Sequence, residues 1–255
     1  RPPARTTEIE ALAYWQFDDE DRAGAADAVG NLDLKCAESY RSTVECCDPI
    51  PNPCSCPFDC GDGPAANKYS VFNPRLYRLT EHFQMRGTES WTLEGWFQND
   101  EGRPAEDVAT ICTTRNPAHR DACGWWLYKA RDGKLSLRIE NASEHRGFNT
   151  RDAFDDKEYH HFALVYDHDE KGPNGYIWLY VDGELQAEGG GLGNLVEGKK
   201  AARYFSVGAR ENSPGYLHFD EFAWKGRLDE FRFSKGVLQP RDFLNTSRGF
   251  RVSRQ

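Results

Sequence analysis

The residues best suited to chemistry in this chain are aromatic rings that alternate with apolar or planar polar groups along short runs. In 176–181 (YIWLYV), strand alternation puts Ile177, Leu179 and Val181 on one side and Tyr176, Trp178 and Tyr180 on the other. In 124–130 (GWWLYKA), Trp126 and Tyr128 share a face opposite Trp125 and Leu127. In 134–140 (KLSLRIE), Ser136, Arg138 and Glu140 stand opposite Leu135, Leu137 and Ile139. Sugar rings have apolar C–H faces and hydroxyl edges, so a saccharide site needs aromatic platforms flanked by planar polar groups. If these runs join one sheet, Trp126, Tyr128, Trp178 and Tyr180 form the platform and Arg138 and Glu140 bond the hydroxyls. The same pattern also fits a sheet covered on both sides, where such rings are ordinary core.

A second candidate is a carboxylate. In 227–233 (RLDEFRF), Asp229 shares parity with Phe231 and Phe233, which predicts an inward-facing acid. Such a group is costly unless a cation or several hydrogen-bond donors satisfy it. Two other signals carry no chemistry. The stretch 193–199 (GNLVEGK) imitates a phosphate loop, but Lys200 stands where a Mg²⁺-binding hydroxyl belongs. The stretch 167–175 (DHDEKGPNG) lacks the closing Glu of a calcium loop and reads as a hairpin connection.

Eight cysteines set the compartment. Six crowd together as Cys36, Cys46, Cys47, Cys54, Cys56 and Cys60, with no CxxC knuckle and no histidine among them, so zinc-finger geometry is missing. Cys112 and Cys123 flank a polar hairpin loop, where a cross-strand disulfide would contribute about 3 kcal/mol in the chain-entropy model. An even, clustered set predicts a disulfide framework in an oxidising compartment; the pairing within 36–60 stays open.

The elements that position these groups are short. Strand-like runs occur at 12–17, 91–97, 108–112, 124–130, 134–140, 161–167, 176–183, 204–208 and 227–233, separated by Gly, Pro, Asn and Asp clusters. Asp182-Gly183 is a hairpin-turn dipeptide. Only the stretch after Pro240 suggests a helix, and a short one. Many strands without interleaved helices predict an all-β antiparallel sandwich of the jelly-roll kind. The expected division is a tail at 1–10, one domain over 11–249 with a cysteine-rich insertion at 36–67, and a tail at 250–255. The first residue is Arg, which fits a chain that starts after a cleavage.

Composition narrows the function classes. The chain has 255 residues, with 32 Lys and Arg against 41 Asp and Glu, a net charge of -9 that repels phosphate backbones and argues against nucleic acid. Seven Trp, eleven Tyr and fifteen Phe supply ample core. No apolar run is long enough for a membrane helix, so membrane insertion is not expected. These features together predict a secreted, periplasmic or extracellular protein.

Three segments resemble the laminin-G-like branch of the concanavalin A-like lectin/glucanase superfamily. The opening AYWQFDDEDRAGAADAVGN is similar to the family's Tyr-x-x-Phe-Asp start, with a later Asp and Gly-Asn. HHFALVYD followed by IWLYVDGEL resembles its His-x-x-x-Val-Tyr strand and Val-Asp-Gly hairpin, and GRLDEFRFSKGVLQPRDF its last strand. WTLEGWF supplies the aromatic strand between them; the cysteine-rich insertion departs from the pattern. The resemblance implies a jelly roll whose members bind glycans, proteins or lipids. It also implies a structural Ca²⁺ near the first-strand turn, whose ligands here would be Asp18, Asp229 and Asp27. The paired carboxylates of the superfamily's glucanases (Glu-x-Asp-x-x-Glu) have no counterpart, nor do the strands of its lyases, so no enzyme activity is expected. The expected function is a non-catalytic recognition domain for polysaccharide or glycoconjugate. The alternative is a structural or protein-interaction module with a protein partner at the cell surface.

Overall fold

The computed structural model describes residues 10–16, 24–25, 27–30, 32, 34–36, 70–72, 77–79, 89–99, 108–114, 124–141, 144–170, 174–191, 205–208, 222, 224 and 226–244. Their strands in chain order are β1 (Ala11–Trp15), β2 (Gly24–Ala25), β3 (Leu34–Cys36), β4 (Ser70–Phe72), β5 (Tyr77–Leu79), β6 (Trp91–Asn99), β7 (Ala109–Thr113) and β8 (Gly124–Lys129). There follow β9 (Lys134–Glu140), β10 (His145–Ala153), β11 (His160–Asp167), β12 (Tyr176–Val181), β13 (Glu184–Gly190), β14 (Ser206–Val207) and β15 (Gly226–Lys235). They form two antiparallel sheets. The seven-stranded sheet runs β1-β15-β6-β11-β12-β13, with β4 also on β15; the eight-stranded sheet runs β10-β9-β8-β7-β14-β5-β3-β2. The expected all-β antiparallel sandwich is what the chain adopts.

Alternation builds the core between the sheets. Ile177, Leu179 and Val181 from β12, Leu135, Leu137 and Ile139 from β9, and Trp125 and Leu127 from β8 all lie in one buried cluster. Rings bridge the layers: Trp91 stacks on Trp125 at 6.0 Å and Trp15 on Phe205 at 5.5 Å. Asp182 and Gly183 join β12 to β13 with φ of 53° and 80°, the left-handed pair that a two-residue type I′ hairpin turn requires. First and last strands are neighbours: Ala11 pairs with Ser234 and Trp15 with Phe231.

Two departures from the sequence reading have physical causes. The strand β10 is absent from the expectations because its HRGFNTRDA has no apolar alternation; it is a sheet edge, and most of its residues are exposed. The segment after Pro240 makes one 3₁₀ turn, Pro240–Asp242, rather than an α-helix.

A third departure concerns the face of β15 that carries Asp229: the acid is fully buried, but on the side of the strand away from the inter-sheet core. Between Asp229 and Arg232 the pairing of β15 with β6 shifts register, and Glu230 takes φ 48°. This bulge flips the strand's parity, so Leu228, Phe231 and Phe233 all enter the inter-sheet core. Asp229 instead pairs with Trp96 on the opposite side of the strand, and its Oδ1 accepts the Glu230 N–H at 3.0 Å.

Candidate functional site

The six expected binding residues do not share a face. Trp126, Tyr128, Arg138 and Glu140 lie on β8 and β9 of the eight-stranded sheet, whereas Trp178 and Tyr180 lie on β12 of the other. Each set points away from the common core, so the sandwich separates them on opposite outer surfaces. Alternation reports which side of its own strand a residue takes; it carries no information on which sheet the strand joins.

The outer face of the seven-stranded sheet is covered where Trp178 and Tyr180 stand. Trp178 and Tyr180 are 4% and 5% exposed and pack with Ala163, Val165, Leu238 and Phe243. Leu238 and Phe243 belong to the segment after β15, which crosses back over the sheet. Phe243 meets Tyr180 edge-on at 5.3 Å and lies 6.0 Å from the His161 ring. Polar anchors fix the segment: Thr92 Oγ1 donates to Gly236 O and accepts from Leu238 N, and Arg232 Nη2 donates to Asp242 O.

Beneath this strap lies a buried ionic cluster. Glu94 Oε1 accepts from Nε (2.8 Å) and Nη2 of Arg232, while Oε2 accepts from His161 Nε2 (3.1 Å) and Leu244 N (2.7 Å). Glu94, His161 and Arg232 are fully buried. Burial alone would raise the carboxyl's pKa; the His161 hydrogen bond and the Arg232 charge outweigh it and hold Glu94 below the usual carboxylate range. These groups glue the strap.

The outer face of the eight-stranded sheet is polar and, among the described residues, accessible in part: Asn149 is exposed and Tyr128 and Arg138 half-buried, while Trp126, Ser136 and Glu140 are buried. Register sets Arg138 beside Trp126 and Gly147, Ser136 beside Tyr128 and Asn149, and Glu140 beside His145. Tyr128 stacks on Trp126 at 3.9 Å and is half-buried. Trp126 lies lower, 6% exposed, with Nε1 donating to Thr110 Oγ1 at 3.0 Å and Phe222 edge-on at 5.9 Å. It supports the platform, and Tyr128 presents it. Nε and Nη2 of Arg138 both bond Glu140 Oε1; the Arg138 side chain is 40% exposed and that of Glu140 only 8%. Ser136 Oγ donates to Asn149 Oδ1 at 2.8 Å. An aromatic ring flanked by a guanidinium–carboxylate couple and an amide is an arrangement that can stack a sugar ring and bond its hydroxyls.

Ser136 was visible in the alternation of 134–140, but Asn149 and Gly147 were not, because β10 was not recognised. The signal that could have found them is Asn141, whose Oδ1 accepts the Glu144 N–H at 2.8 Å and whose N–H bonds Glu144 O. Asn is a natural turn former, so a strand leading into it predicts a partner strand after it.

The expected calcium ligands fare unevenly. Asp18 lies outside the described residues. Asp27 accepts the N–H groups of Tyr14 (2.9 Å) and Val29 (3.0 Å) on Oδ1 and of Leu32 (3.2 Å) on Oδ2. Three backbone N–H groups thus hold the Asp27 carboxylate beside the end of β1. Among the described residues no three His, Cys, Asp or Glu side chains are grouped to hold a metal ion. Of the expected disulfide cysteines, Cys112 is buried in the core, where burial pushes its thiol pKa up, and Cys36 lies in β3. Cys46, Cys47, Cys54, Cys56, Cys60 and Cys123 lie outside the described residues, with most of the expected insertion at 36–67.

Two antiparallel sheets with one polar, aromatic-bearing outer face place the chain among the β-sandwiches of lectin type. Residues 77–242 match Laminin_G_3, described as the concanavalin A-like lectin/glucanases superfamily, and the chain belongs to that family. Its fold is similar to domain 4 of AbnA, a GH43 extracellular arabinanase from Geobacillus stearothermophilus, solved in complex with arabinotriose. The identity is 18% and the TM-score 0.59, over 94% of this chain and 98% of that one. It is also similar to the binding domain of Paraclostridial Mosquitocidal Protein 1, at 13% identity and TM-score 0.59, over 91% of this chain and 50% of that one. The botulinum neurotoxin serotype C1 binding domain is similar at 12% identity and TM-score 0.57, again over 91% and 50%. No curated protein matches the chain.

Proposed function

We propose that this chain is a non-catalytic carbohydrate-binding domain working outside the cytoplasm, and that the outer face of its eight-stranded sheet holds the saccharide. The observation that carries this reading is the contrast in access. Tyr128, Arg138 and Asn149 are reachable on one face, while Trp178 and Tyr180 lie under the strap on the other. A similar fold that is named as a domain of an arabinanase and was solved with arabinotriose supports the class of ligand, and the clustered cysteines support an oxidising compartment. In this reading the Tyr128 ring stacks on the sugar's C–H face, Trp126 fixes that ring's tilt from below, and Arg138, Glu140 and Asn149 take the hydroxyls.

Native affinity electrophoresis against a panel of soluble polysaccharides tests it. Retardation by at least one polysaccharide is expected, and Tyr128→Ala should weaken it by about tenfold, the loss of roughly 1–1.5 kcal/mol of ring stacking. Unretarded migration through the whole panel, or retardation indifferent to Tyr128→Ala, would refute the assignment.

A further inference from the structure

We infer that Glu140 is a specificity-determining residue that confines this face to uncharged saccharides. The inference rests on the carbohydrate-binding reading above and sharpens it to a ligand class. A lone exposed arginine beside an aromatic ring would draw carboxylate-bearing sugars, since its planar fork matches a carboxylate bidentately. Arg138 is not alone. Nε and Nη2, the edge best shaped for that fork, are both spent on one oxygen of Glu140. The couple therefore offers outward N–H groups with little net charge, suited to the adjacent hydroxyls of a neutral sugar.

Space and charge agree. Gly147 stands beside Arg138 across the β9–β10 pair, and the nearest atom to a methyl group built there would be Leu137 O at 4.0 Å. Among the described residues, the flank of the guanidinium has room for a ring lying against Tyr128. A ligand carboxylate placed there would meet the Glu140 anion behind its intended partner, and specificity against it comes from that repulsion as much as from lost attraction. The chain's net charge of -9 adds to the same bias. Lys134 occupies the other end of β9 on this face, beyond Ser136 by the strand's alternation, too far along the strand to serve the same ring contacts.

The test compares retardation by neutral polysaccharides (arabinan, xylan, mannan and a β-glucan) with retardation by polygalacturonate at one ionic strength. Wild-type protein should be retarded by a neutral polysaccharide and pass the polyuronate. Glu140→Gln keeps the shape and removes the charge; it should raise affinity for polygalacturonate by at least about tenfold, an effect of the size that relieving one close like-charge contact produces. Lys134→Gln should leave the preference as in wild type, and near-ultraviolet dichroism confirms that each variant is folded. If Glu140→Gln unfolds, Arg138→Gln serves instead: it should lose neutral binding without gaining acidic binding. Polyuronate binding by wild type, no gain in Glu140→Gln, or a preference governed by Lys134 would each overturn the inference while leaving carbohydrate binding intact. Failure of every variant to bind any polysaccharide would overturn both.

Discussion

The two outer faces of the sandwich use nearly the same ingredients to opposite ends. Each has a Trp and a Tyr two residues apart on one strand, Trp178 and Tyr180 on β12 and Trp126 and Tyr128 on β8, with a carboxylate–arginine pair nearby. On the seven-stranded side the chain folds back, so the rings become a second small core and the ion pair becomes its fastening. On the eight-stranded side the described chain leaves Tyr128 half-buried and the Arg138 guanidinium accessible. Aromatic content alone therefore does not mark a binding face; what covers it decides.

The largest effect that would test this contrast is at the fastening. Glu94→Ala leaves Arg232 charged, buried and without its carboxylate, and should lower stability by about 3–5 kcal/mol in urea unfolding. Phe243→Ala empties the slot against Tyr180 and His161, with an expected loss of about 3 kcal/mol and an exposed Trp178 readable by fluorescence quenching. A small change in either variant would mean that the strap is a loose cover. The paired substitution on the partly accessible face, Tyr128→Ala, should cost less than about 1.5 kcal/mol of stability, because the ring is already half in water, while it removes most of the binding.

A subtler expectation concerns pH. Glu94 has a lowered folded pKa, so its contribution is complete above the normal carboxylate range and fades as pH falls through that lowered value. His160 works on the other flank: burial would lower its pKa, but hydrogen bonds to Asp182 and Asp156 outweigh that and raise it. Its contribution is complete below the ordinary imidazole value and disappears as pH rises through the raised one. Thermal melts of His160→Gln across pH 5 to 9 should lose the alkaline slope expected of wild type while retaining the acid one; identical slopes would deny His160 that part. Smallest of all, chelation with EDTA should leave the melting temperature of the intact protein unmoved, since the Asp27 oxygens already answer to amide groups. A clear drop would show that a metal does bind.

Much of the architecture was legible because period-two patterns are strong in 134–140, 161–167 and 176–181, and because Asp182-Gly183 names its own turn. The missed strand β10 shows where that signal ends, since an edge strand in water has no apolar alternation to display. The site was half legible. The facing of Trp126, Tyr128, Arg138 and Glu140 followed from alternation within each run, and their meeting followed from β8 and β9 being joined by a short turn. The pairing of Trp178 with them failed because sheet membership is set by contacts between distant segments. The parity of Asp229 failed for a local reason: Glu230 at φ 48° inserts one residue, and nothing in its type announces the insertion.

The adjacency of β1 and β15 has a consequence of its own. Because Ala11 lies directly opposite Ser234, and the strap that follows is still bonded to β6 at Leu244, the described polypeptide comes into the sandwich and is last held by it within two strands of the same place. A unit built that way can be threaded into the middle of another polypeptide at a surface loop, as a bead hung from one knot, without prising the host's two ends apart.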